Sequence, residues 1–155
     1  MEEGLRLSVG RLIADVVGKM DAAASRMTSL RMAFFSAHDT TILPLLLALQ
    51  LPETKVALWP NFASSIVIEL WAPTGAAADA GSECHRVRVL YNFQPLVLGT
   101  RGRAANGVCT LAEFRTLVSP YLPVDFAAEC VAAVEAEEPI PAAPPLETEM
   151  AAKKK

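Results

Sequence analysis

Met32-Ala33-Phe34-Phe35-Ser36-Ala37-His38-Asp39-Thr40-Thr41-Ile42-Leu43-Pro44-Leu45-Leu46-Leu47-Ala48-Leu49 reads as an apolar strand, a short polar turn and an apolar helix in succession. A turn between the carboxyl end of a strand and the amino end of a helix is where α/β proteins place anion sites. This turn carries a histidine beside an aspartate, a ring N–H donor next to a carboxyl proton donor, and that suits phosphate chemistry. The pair also has a plain structural use, because an aspartate at Asp39 can cap a helix. Proline is tolerated in the first turn of a helix, so Pro44 predicts a helix start near Thr40 or Thr41, with His38 and Asp39 on the preceding loop. Residues 31–36 are expected to form a short buried strand. The helix at 41–50 is apolar nearly all round, so it is expected to be covered on more than one side.

Upstream, Leu5, Val9, Leu12, Ile13, Val16, Val17, Met20 and Met27 recur at helical spacing and predict an amphipathic helix over 5–27. Arg11, Asp15 and Lys19 lie a turn apart on its other face, as solvated ion pairs do. Downstream of a Pro-containing loop at 52–61, residues 64–71 alternate as a strand, and residues 86–93 do so again with Val87, Val89, Tyr91 and Phe93. The Gly/Ala-rich stretch 73–81 between them predicts a hairpin with a long loop. Thr110-Leu111-Ala112-Glu113 is a capping box, which starts a short helix. After Glu135 the chain turns to Ala, Pro and Glu. Residues 1–135 are therefore read as the folded part and 136–155 as a disordered tail ending in lysines.

The chain has 155 residues, 52% of them hydrophobic and 20% charged, enough for one cored domain or part of a larger one. The net charge of −3 and the lack of a basic patch give nucleic-acid binding no support. The first residues, Met1-Glu2-Glu3-Gly4, are acidic where a secretory signal would be basic, and the longest apolar run, Ile42 to Leu49, is far short of the roughly 20 residues of a membrane span. Cys84, Cys109 and Cys130 match no zinc spacing, and their disulfide state is left open. The compartment is likewise left open.

The order of motifs carries more than any one of them. Ser36-Ala37-His38-Asp39-Thr40-Thr41 is followed by Trp59-Pro60-Asn61-Phe62-Ala63-Ser64, Ile68-Glu69-Leu70-Trp71 and Val89-Leu90-Tyr91-Asn92-Phe93. Then come Val108-Cys109-Thr110-Leu111-Ala112-Glu113-Phe114 and the stretch from Pro123 to Cys130. This series resembles the C-terminal part of the histidine acid phosphatases, over about residues 5–130. The resemblance implies an α/β, phosphoglycerate mutase-like fold present in part, a mixed sheet flanked by helices. It also implies phosphomonoester hydrolysis at acidic pH through a phosphohistidine, with neither metal nor cofactor. In that scheme Asp39 is the general acid and His38 contacts the phosphoryl group. Cys109 and Cys130 match family cysteine positions, with Ala105 where one partner would stand.

The family's nucleophile lies in an Arg-His-Gly motif, and no such tripeptide occurs in these 155 residues. His85, in Cys84-His85-Arg86, does not match it and is expected to be a surface or edge-strand histidine. The chain is thus read as a C-terminal segment, inactive alone, that takes a phosphomonoester when completed by an N-terminal portion. Self-association of the isolated chain is expected. The alternative is a non-catalytic binding or assembly module derived from the same fold. A metal-dependent His-Asp phosphohydrolase would need several histidines, and there are two. Full-length family members are commonly secreted, lysosomal or membrane-attached.

Overall fold

A computed structural model describes residues 2–49, 59–74, 84–98 and 107–136. The tail proposed for 136–155 lies outside them, except for Ala136, which ends a helix.

Helix α1 (Glu2–Ala24) turns Leu5, Val9, Ile13, Val17 and Met20 into the core, the stripe its 3.6-residue period predicts. It stops before Met27, because Arg26 adopts a left-handed conformation (φ 56°). Met27 N–H then donates to Ala22 O at 2.8 Å and Arg26 N–H to Ala23 O at 3.1 Å. That pairing is a Schellman close with a non-glycine at its left-handed position. Met27 is left 82% exposed.

Helix α2 (Asp39–Ala48) begins slightly earlier than its proline suggests. Pro44 therefore sits past the first turn, where it has no N–H to return to Thr40 O. Leu46, Ala48 and Leu49 are buried, and Ile42, Leu43, Leu45 and Leu47 are half-buried against the same core.

Strands β1 (Ile66–Trp71) and β2 (Arg86–Tyr91) form the expected hairpin, antiparallel, with Ile68 opposite Val89 and Leu70 opposite Val87. Two short strands share the other edge of β2: β3 (Gln94–Pro95) beside Leu90 and Tyr91, and β4 (Val108–Thr110) beside Arg86 to Arg88. All described pairings are antiparallel. One face, with Ile66, Ile68, Leu70, Val87, Val89 and Tyr91, joins the core. The other carries Glu69, whose Oε2 accepts from Arg88 Nε at 2.6 Å and from Trp71 Nε1 at 3.1 Å. Helix α3 (Leu111–Val118) opens with the predicted capping box and buries Leu111, Phe114 and Val118. A 3₁₀ turn (Ser119–Tyr121) leads to α4 (Phe126–Ala136). The Arg6–Glu129 ion pair at 2.7 Å and Arg11 over the Phe126 ring hold α4 to α1. The whole is an α/β arrangement of helices against a sheet.

Two expectations are corrected. Residues 31–36 are not a buried strand: the backbone from 27 to 38 is irregular, and Met32, Phe34 and Phe35 are exposed. A strand needs a neighbour for its N–H and C=O groups. Among the described residues, none pairs with this segment. His85 is not on the surface. It is buried just before β2, its carbonyl accepting from Leu111 N–H at 3.0 Å, and its Nδ1 has no partner among the described residues. His85 lies two residues before Val87, an inward position of β2, so the strand's alternation carried one step back already puts it on the core side.

Candidate active site

The turn before α2 is built from the helix's own needs. His38 is the N-cap residue, in extended conformation (φ −106°, ψ 168°), and its side chain makes no cap bond. Its carbonyl instead accepts from Thr41 N–H at 2.9 Å and Ile42 N–H at 3.0 Å. The main chain thus starts the helix and leaves the exposed imidazole available. Asp39, the first helical residue, is also exposed, and its carboxylate is held at both oxygens. Oδ1 accepts from Thr40 N–H at 2.9 Å and Oδ2 from the indole Nε1–H of Trp59 at 2.5 Å. The Trp59 hydrogen bond, then the Thr40 N–H, hold the Asp39 carboxyl below the usual carboxylate range, and the neighbouring His38 adds in the same direction. A negative side chain in the first turn of a helix is also favoured by the helix dipole.

The structure keeps His38 and Asp39 side by side and adds Trp59, which sequence reasoning did not single out as a site residue. The sequence holds a weak signal for it, an indole N–H in a Pro-containing loop, but no periodicity links it to a residue 20 positions away. Among the described residues no cluster of His, Cys, Asp and Glu could hold a metal ion, and no helix is long and apolar enough to cross a membrane.

Residues 5–92 match the histidine phosphatase superfamily (branch 2). The chain is 29% identical to prostatic acid phosphatase of Rattus norvegicus over 134 residues, which cover 84% of the chain and 32% of that protein. It is 30% identical to the Bos taurus prostatic acid phosphatase, over 83% of the chain and 31% of the relative. To 2-phosphoxylose phosphatase 1 of Homo sapiens it is 33% identical over 52% of the chain and 15% of that protein. The chain thus spans about a third or less of the length of these relatives.

Proposed function

The chain belongs to the histidine phosphatase superfamily, branch 2, and from that premise we propose that it is the acid-bearing C-terminal segment of an acid phosphatase. Both kinds of relative it resembles are named phosphatases. The substrate class is a phosphomonoester. The observation that carries this reading is the adjacent exposed His38 and oriented Asp39 at the start of α2.

A transferring phosphoryl group spreads negative charge over its oxygens, so catalysis is mostly positioning and electrostatic stabilisation. His38 donates an N–H to one of those oxygens. The nucleophilic histidine, in an Arg-His-Gly motif outside these 155 residues, forms the P–N bond as the P–O bond to the leaving group breaks. Asp39 passes its proton to the departing alkoxide, a contribution of about 10²–10⁴ in rate. In the second step water attacks phosphorus, gives its proton to the Asp39 carboxylate and regenerates the histidine. In the free protein Asp39 favours its charged form. A bound phosphate anion opposes a second negative charge beside it and raises the proton affinity of Asp39. That places the working range at acidic pH.

The test is Asp39→Asn in a catalytically complete protein that joins this chain to the nucleophile-bearing portion. Hydrolysis of an alkyl phosphate should fall about 10²–10⁴-fold, and that of p-nitrophenyl phosphate much less, because a phenolate leaves without a proton. Equal losses on both substrates would remove the acid role. The 155-residue chain alone should hydrolyse neither.

A further inference from the structure

Asp39 is gripped from two directions of different origin. Thr40 N–H belongs to the same turn, and any aspartate opening this helix could use it. Trp59 comes from another part of the chain, and its 2.5 Å bond is short for N–H···O. The segment that delivers it is fastened to the sheet. Ser65 N–H donates to Asn92 Oδ1 and Asn92 N–H to Ser65 O, both at 2.9 Å. Ser64 Oγ lies 3.2 Å from the Tyr91 hydroxyl and accepts from Asn92 Nδ2 at 3.3 Å. Asn92 and Phe93 both have positive φ (48° and 66°) in the two-residue turn between β2 and β3, the geometry of a type I′ hairpin turn. The β2–β3 turn therefore anchors the loop that carries Trp59.

An exposed carboxylate with one local donor can rotate. With a donor on each oxygen, the lone pairs left to carry and deliver a proton are fixed in direction. We propose that Trp59 is the positioning residue of Asp39: its indole N–H fixes how the carboxyl group meets a leaving-group oxygen and governs how firmly it holds the proton. This rests on the reading of Asp39 as the proton donor. The Trp59 bond is also the largest of the influences that favour the charged carboxylate. Among the described residues, the titratable neighbour acting on Asp39 is His38; α2 has no other charged residue, and Trp59, Pro60 and Asn61 carry no charge.

The sign follows. An N–H aimed at a carboxylate stabilises the anion. Its removal raises the pH at which Asp39 gives up its proton. A reaction that needs protonated Asp39 then extends to higher pH.

The experiment is a carbon and nitrogen NMR titration, between about pH 2 and 7, of the catalytically complete protein that joins this chain to the nucleophile-bearing portion. The two indole N–H groups provide an internal comparison, since Trp71 donates to Glu69 and Trp59 to Asp39. The Trp59 indole signal should move with the Asp39 carboxyl carbon and lose that step in Asp39→Asn, while the Trp71 signal keeps its own. In Trp59→Phe the Asp39 midpoint should move to higher pH. An unchanged midpoint in Trp59→Phe, or a Trp59 signal indifferent to Asp39→Asn, overturns the proposal. In the catalytically complete protein, Trp59→Phe should move the alkaline limb of alkyl phosphate hydrolysis upward; a uniform loss at every pH would mark a merely structural tryptophan and overturn it too. The general-acid reading fails separately, on the alkyl-to-aryl comparison in Asp39→Asn, so the two failures are distinguishable.

Discussion

Cys109 shows how a single side chain takes its chemistry from its surroundings. It lies in β4 opposite Val87, half-buried, one turn from the Glu113 carboxylate. Burial first, and the Glu113 charge second, push its thiol up to about 11. Near pH 8 that leaves about one hundredth of the thiolate an ordinary cysteine carries. Alkylation of Cys109 by iodoacetamide, followed by mass spectrometry, should therefore run about a hundredfold slower in the native protein than in urea. Comparable native and unfolded rates would show that the site is not desolvated. The same residue has a stability consequence. Because the folded state holds this proton more tightly than the unfolded chain, the difference is fully present below the ordinary thiol range. It is lost as pH rises through about 11.

At the scale of elements, two of the three glycines of α1, Gly10 and Gly18, have opposite reasons to be there. Gly10 faces the 3₁₀ turn and its sequel: a Cβ built on it would lie 2.3 Å from Tyr121 O and 2.9 Å from Pro123 Cδ. Gly18 is exposed, with nothing within 4 Å of such an atom. Alanine gains about 1 kcal/mol over glycine in a helix interior. At Gly18 that gain is unopposed, so Gly18→Ala should stabilise by about 1 kcal/mol. At Gly10 the backbone oxygen cannot retreat without separating α1 from the turn, and overpacking of this kind costs about 1–3 kcal/mol. Gly10→Ala should thus be net destabilising. Urea unfolding of the two variants decides it, and a Gly10→Ala as stable as Gly18→Ala would mean that the contact between α1 and Tyr121 is loose. The close approach of α1 to this turn helps set where α4 begins, with Asp125 Oδ1 accepting from Ala128 N–H at 3.1 Å and Glu129 Oε1 accepting from Val124 N–H at 2.9 Å.

For the molecule as a whole, the core is real but lopsided. Leu49, Val87, Val89, Leu111 and Val118 are completely buried between the helices and one face of the sheet. Outside it, Met27, Met32, Phe34, Phe62 and Phe93 are each more than 60% exposed. Residues 27–38 form no strand pairing, and the outer edge of β1 has no neighbour, among the described residues. Exposed apolar surface and an open strand edge both find partners. The isolated chain should therefore self-associate, with a mass by size-exclusion chromatography and light scattering above that of the monomer and rising with concentration. A monodisperse monomer with one sharp thermal transition would show a self-sufficient core. That outcome would favour the second reading, a non-catalytic binding or assembly module.

The helices and the hairpin were legible in the sequence because their signals are local. The spacing of Leu5, Val9 and Ile13 dictates a helix face, Thr110 and Glu113 cap one another across a single turn, and Val87 and Val89 alternate with Arg86 and Arg88. His38 and Asp39 were legible as a pair because they are adjacent and precede a helix. Three matters were decided only by tertiary structure. The apolar run Met32 to Phe35 looks like a strand, but strand formation requires a second strand, and pairing is not written in the run itself. The carbonyl of His85 found its donor in the N–H of Leu111, 26 residues later. Trp59 reached Asp39 through a loop anchored at Asn92, so the donor that orients the carboxylate is specified by contacts among three separated segments. Period and capping operate within about two turns of chain; hydrogen bonds across 20 or more residues exist only once the core has closed, and that closure determined which donor meets Asp39.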